Sequence, residues 1–158
     1  SAHALLVRCK HQDCGSGFFW NKALACPFCE RRTTSTHWLR LVHHLMCSKR
    51  DLPEATTAKE RLIDTGWRMV LGDQAVTLHA APPGSSTYAD SPPVVELTLD
   101  GSVLELRPTG QEKLHLQTSG NRELTRVRGR IELPQAGLNY GLHLGEPDQT
   151  HDLWLFKW

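Results

Sequence analysis

Cysteine is absent after position 47, so residues 48–158 must fold without disulfides or thiolate ligands, on an apolar core alone. Long apolar runs are missing too. None approaches the roughly 18 residues that cross a bilayer, and the opening SAHALLVRC has neither the basic n-region nor the long apolar stretch of a signal peptide. The chain therefore reads as intracellular, cytoplasmic or nuclear, with no membrane span. It also lacks a Gly-rich phosphate loop, a GxSxG elbow and an HExxH helix, which removes the commonest signatures of nucleotide, acyl-transfer and zinc-protease chemistry. A non-catalytic role is the expectation these absences leave.

What is present describes a folded protein of 158 residues: 39% hydrophobic and 22% charged residues are globular proportions and exclude wholesale disorder or a fibrous architecture. The net charge of +1 hides an asymmetry. Residues 1–61 carry 10 Lys/Arg against 5 Asp/Glu, and residues 62–158 carry 8 against 12, so the two parts stand at +5 and −4. An anionic partner for the first part explains this pattern, and so does docking of the two parts on each other.

All five cysteines lie at positions 9, 14, 26, 29 and 47, an odd and clustered set that suits metal ligation better than a disulfide framework. Cys9, Cys14, Cys26 and Cys29 are spaced C-x4-C-x11-C-x2-C, two knuckles of two thiolates each, which can surround one tetrahedral Zn²⁺. Gly15 follows Cys14 as a small knuckle residue, and Cys26-Pro27-Phe28-Cys29 forms the second knuckle. Between them lies the aromatic stretch Phe18-Phe19-Trp20. The segment 7–32 resembles a zinc ribbon, departing from the usual form at the first knuckle, where four residues separate the cysteines and make His11 an alternative ligand. The resemblance implies one structural zinc per chain, closed by four thiolates with no open position for substrate. A second set satisfies the same chemistry: the Cys26–Cys29 knuckle with His43 or His44 and Cys47 resembles a finger of the BED type. It leaves Cys9 and Cys14 without a role. Cys47 is otherwise a small buried hydrophobe.

From Thr36 to Arg50 the spacing of Trp38, Leu41, Val42 and Leu45 predicts an amphipathic helix, with Ser35 or Thr36 as its cap and Lys49 and Arg50 at its end. A second helix is expected over 54–64, capped by Thr57, stopped by Gly66 and separated from the first by Pro53. After Gly66 the period becomes two, with strands at RMVLG, QAVTLHA, VVELTL, SVLELR, KLHLQT, ELTRVRGRIEL, YGLHL and DLWLFKW. Asp100-Gly101 and Gly72-Asp73 read as tight hairpin turns, and the Pro, Gly and Ser of residues 80–93 as a loop. The fold expected is mostly β with a small α part: a zinc ribbon over 1–32, a helical connector over 33–66 packed on it, and an antiparallel sandwich or small barrel over 67–158.

Within the β region Arg126, Arg128 and Arg130 alternate with Val127, Gly129 and Ile131, so one strand face can present three guanidinium groups to an anionic ligand. The competing arrangement pairs them with Glu105, Glu123 and Glu132 across strands. Trp154, Phe156 and Trp158 share one face of the last segment and Leu153 and Leu155 the other, the pattern of a central core strand. The function expected is a zinc-binding adaptor that recognises a protein partner in a larger assembly. A nucleic-acid-binding module would instead use Lys10, Lys22, Arg31, Arg32 and the aromatic stretch. A cysteine- or metal-dependent enzyme would pair Cys47 with one of the nine histidines.

Overall fold

In a computed structural model of the chain, the alternating segments become strands that stack as two sheets. The structure describes residues 4–8, 13–14, 17–19, 29–31, 39–72 and 75–158, with 4–8 and 17–19 as backbone. In chain order the strands are β1 (Ala4–Arg8), β2 (Gly17–Phe19), β3 (Leu39–Met46), β4 (Leu62–Leu71), β5 (Val76–His79), β6 (Pro93–Asp100), β7 (Val103–Pro108), β8 (Leu114–Thr118), β9 (Thr125–Arg126), β10 (Ile131–Pro134), β11 (Asn139–Leu144) and β12 (His151–Lys157). The large sheet runs β2-β1-β4-β3-β12-β11-β8-β9 and the small one β10-β7-β6-β5. All pairs are antiparallel except β1 with β4.

One core fills the space between the sheets. Leu39, Leu41, Met69, Leu142, Trp154 and Phe156 reach into it from the large sheet, and Leu78, Val95, Leu97, Leu104 and Leu106 from the small one. This is the expected sandwich, and β12 is the expected central strand, paired with β3 on one side and β11 on the other. The C-terminal Trp158 ties the layers together, since its Nε1 donates to Leu133 O of β10 at 2.9 Å.

The helical connector is corrected. Residues 39–46 form β3, inserted between β4 and β12, and residues 53–61 form turns before β4. The apolar residues of LRLVHHLM fit both periods, since Leu39, Leu41 and Leu45 are also two and four apart. Tertiary pairing decides between them, because β4 and β12 would each leave a row of backbone groups unsatisfied without β3. Thr57 does cap, but only a single turn, its Oγ1 accepting from Glu60 N at 3.2 Å.

Gly66 ends no helix and instead makes a bulge. Val42 stands opposite Arg68 and His44 opposite Asp64, so Thr65, Gly66 and Trp67 share the place across from His43. Gly66 holds φ 86 there, a conformation that a Cβ makes costly. Gly66→Ala should therefore lower unfolding free energy by about 1–2 kcal/mol, read as a shift in urea midpoint at unchanged slope.

Two turn expectations also change. In the β6–β7 hairpin the loop residues are Gly101 and Ser102, with Asp100 still paired to Val103, and only Gly101 has positive φ, as in a type II′ turn. β4 and β5 belong to different sheets and so form no hairpin, and Asp73 of the expected turn lies outside the described residues. The segment ELTRVRGRIEL divides likewise: β9 pairs with β8 in the large sheet and β10 with β7 in the small one.

Candidate functional site

Of the two predicted knuckles, the described residues are 13–14 and 29–31, and Arg31 joins Asp13 to Cys29. β1 and β2 pair antiparallel, Leu6 opposite Phe19 and Arg8 opposite Gly17. From the second knuckle, Arg31 Nη2 donates to Asp13 Oδ1 at 2.7 Å, and its guanidinium also bonds the Cys29 side chain. One side chain thus spans the residue before Cys14 and the thiol of Cys29. Both contacts stabilise the cation and raise the Arg31 pKa, the Asp13 bond contributing most. Directly after Cys29 the chain turns sharply at Glu30, whose φ of 63 is rare for a residue with a side chain. Cys14 and Cys29 are half-buried. Cys9, His11 and Cys26 lie outside the described residues, among which no three metal-binding side chains converge.

The histidines of the finger-type set are placed otherwise. On a helix His43 and Cys47 would be one turn apart; along an extended chain they are roughly 13 Å apart. Cys47 follows β3, half-buried, its N donating to Arg61 O at 2.8 Å and its O accepting from Arg61 Nε at 3.0 Å. His43 points into the core, 1% exposed, with its ring 4.9 Å from that of Trp154. Its Nε2 lies 2.8 Å from Asp152 Oδ1 and its Nδ1 2.6 Å from Thr65 Oγ1. A carboxylate only accepts, so Nε2 donates to Asp152. The Thr65 hydroxyl, which also lies 3.2 Å from His43 O, then either donates to Nδ1 or accepts from it while donating to that carbonyl.

A hydroxyl, an imidazole and a carboxylate in series are the parts of a nucleophilic relay. Such a relay also needs donors for the developing oxyanion, and the N–H of the next residue, Gly66, is given to Asp64 Oδ1 at 2.8 Å. The series therefore acts as a polar clasp joining β3, β4 and β12. Near it Tyr88, from the 80–92 loop, accepts from His79 N at 3.0 Å, and burial raises its phenol pKa.

The opposite face of the large sheet is read in rows across β3, β12 and β11. Lys157 and Asn139, with Arg40 two residues before Val42 on β3, make the first; Val42, Leu155 and Gly141 the second; His44, Leu153 and His143 the third, which His115 of β8 extends. His143 is 3% exposed, its Nδ1 2.7 Å from His151 Nε2 and its Nε2 2.9 Å from Gln117 Oε1. His151 Nδ1 lies 2.7 Å from Gln149 O and must donate to it. If His151 also donates to His143, the pair holds one extra proton and His143 donates to Gln117. If His151 accepts instead, Gln117 must turn its NH₂ toward His143. Protonation and amide rotation are thereby linked. His115 Nδ1 is buried without a hydrogen-bond partner among the described residues, and burial lowers this imidazole's pKa.

Burial, with the charges of His151 and His115, brings the His143 pKa down from 6.5 to about 4. A base whose folded pKa is depressed is refused its proton in the folded state while the unfolded chain takes it. Stability is then complete above pH 6.5 and declines as pH falls toward 4. The loss should be about 2–3 kcal/mol, and His143→Gln should flatten that slope in urea midpoints measured between pH 4 and 7.

The three-arginine ladder does not form on one strand. Arg126 ends β9 beside His115, Val127 turns into the core with its N donating to Leu114 O at 2.8 Å, and the chain bends at Gly129 toward the small sheet. Arg128 is exposed. Arg130 is ion-paired with Glu105 at 3.0 Å and with Glu132, and these carboxylates raise its pKa.

The first two rows of the outer face border an open depression of about 490 Å³, lined in part by Arg40, Val42, Asn139, Leu155 and Lys157. Arg40 and Lys157 have no ion pair among the described residues. Compared with protein-family models, with curated proteins and with solved structures, the chain matches none. No helix among the described residues is long and apolar enough to cross a membrane.

Sequence reasoning missed the clasp and the imidazole pair. A signal for the first was present: Asp152 is in phase with Trp154, Phe156 and Trp158, and a carboxylate on a buried face calls for a buried donor.

Proposed function

We propose that the chain is a zinc-stapled β-sandwich that serves as a binding module and recognises a protein partner within a larger assembly. The observation that supports the metal half of this reading is the bridge of Arg31 from Asp13, the neighbour of Cys14, to Cys29. Cys9, Cys14, Cys26 and Cys29 would hold one Zn²⁺ as thiolates, and a site closed by four sulfurs is a folding element without a position for substrate.

Recognition is then left to the β surface, where the depression beside Arg40 and Lys157 combines apolar floor and uncompensated charge. The first test is metal content by elemental mass spectrometry on the native chain, Cys29→Ser and Cys47→Ser. One zinc per chain, kept by Cys47→Ser and lost by Cys29→Ser, supports the ribbon. Zinc lost with Cys47 and kept without Cys29 contradicts it.

A further inference from the structure

We infer that the open depression over β3, β12 and β11 is the recognition site, and that its occupant is an extended acidic segment of the partner protein carrying an aliphatic side chain between its carboxylates. This rests on the proposal that the chain recognises a protein. The register puts Lys157 opposite Asn139 and Leu155 opposite Val42 and Gly141, and Arg40, two residues before Val42 on β3, lines the same depression, so two cations and an amide border an apolar strip.

The charge at this place is not spent within the protein. Among the described residues Arg31, Arg68, Arg107, Lys113 and Arg130 are each engaged by a carboxylate, whereas Arg40 and Lys157, like Lys49, Arg50, Lys59, Arg122, Arg126 and Arg128, are exposed without one, and of these it is Arg40 and Lys157 that line the depression. The outer-face residues of the first two rows, with Arg68 and Val70 of β4, include no acidic side chain. A cationic border on an apolar floor complements an anionic, partly apolar ligand. The size also fits: about 490 Å³ holds one or two large aliphatic side chains, with the flanking carboxylates left at the border. Leu155 and Val42 are half-buried, so an aliphatic group placed there removes surface that the fold itself leaves wet.

The test is selection from a displayed library of random 12-residue peptides on the full zinc-loaded chain, followed by titration of the synthesised winners by fluorescence anisotropy. The chain carrying Arg40→Glu and Lys157→Glu is compared with one carrying Arg50→Glu and Lys59→Glu, an equal change of charge at exposed positions elsewhere. Winners with Asp or Glu on both sides of Leu, Ile or Val are expected, bound at least about tenfold more weakly by the first variant and normally by the second. Equal thermal melting of the three proteins ties the loss to the site. Winners without acidic residues, or winners that bind the Arg40/Lys157 variant as well as the native chain, overturn this site while leaving protein recognition intact. Enrichment of nothing, with a labelled oligo-dT bound in a salt-dependent way, overturns both readings in favour of a nucleic acid.

Discussion

Asp152→Ala should destabilise the sandwich by about 3 kcal/mol, measured by urea unfolding near neutral pH. Asp152 is 9% exposed and its Oδ1 accepts from His43 Nε2 at 2.8 Å, while His43 itself is 1% exposed, its ring against that of Trp154. Removing the acceptor leaves a buried imidazole N–H facing apolar side chains, and the cost of such an orphan is the desolvation that the hydrogen bond had offset. Asp152→Asn keeps an acceptor oxygen and should cost less, about 1 kcal/mol. The double variant Asp152→Ala with His43→Leu should recover part of the loss, because an apolar pair of similar shape leaves nothing unsatisfied. Strict additivity of the two single changes would show that the contact carries no coupling.

How much of this was legible beforehand depends on which physical level decides. The strands with clean alternation and a turn at each end, such as VVELTLDGSVLELR, stand where the sequence puts them, because local pattern and tertiary pairing agree. The loop over 80–93 follows from its Pro, Gly and Ser. β3 was not legible, because Leu41, Val42 and Leu45 keep helical spacing while Leu39, Leu41 and Leu45 keep extended spacing, and only two waiting strand edges choose between them. The Arg126–Arg130 ladder failed for a related reason. One alternating run can serve two sheets, and the bend at Gly129 is what divides it. The clasp needed knowledge of register: His43, Thr65 and Asp152 are far apart in sequence, and a bulge that skips two residues brings the hydroxyl to the ring. The zinc proposal rests on the spacing of the knuckle cysteines, of which Cys9 and Cys26 lie outside the described residues.

Stripping the metal with a strong chelator, or Cys29→Ser, should unfasten the hairpin β1–β2 and leave the rest of the sandwich folded. Four-thiolate zinc contributes about 10 kcal/mol or more of apparent free energy to a small module, and a two-stranded hairpin has little of its own stability to replace it. β1 joins the large sheet through a parallel pairing of Ala4, Leu5 and Leu6 with Trp67, Arg68 and Met69. Once β1 leaves, β4 becomes an open edge, so the stripped protein should also associate at high concentration. The core residues Leu142, Trp154 and Phe156 belong to strands beyond that edge. Hydrogen exchange should therefore speed up in 1–20 and along β4, while β11 and β12 stay protected and the near-ultraviolet signal of Trp154 persists. Exchange that accelerates everywhere together would show that staple and sandwich unfold as one unit.

The claim on which the account rests most directly is that four cysteine sulfurs close around one zinc beside Arg31. X-ray absorption at the zinc edge on the native protein addresses it. Four sulfur scatterers at about 2.3 Å and no imidazole shell are the predicted result, whereas two nitrogen scatterers at about 2.0 Å, or a chain purified under reducing conditions with no zinc at all, would contradict it.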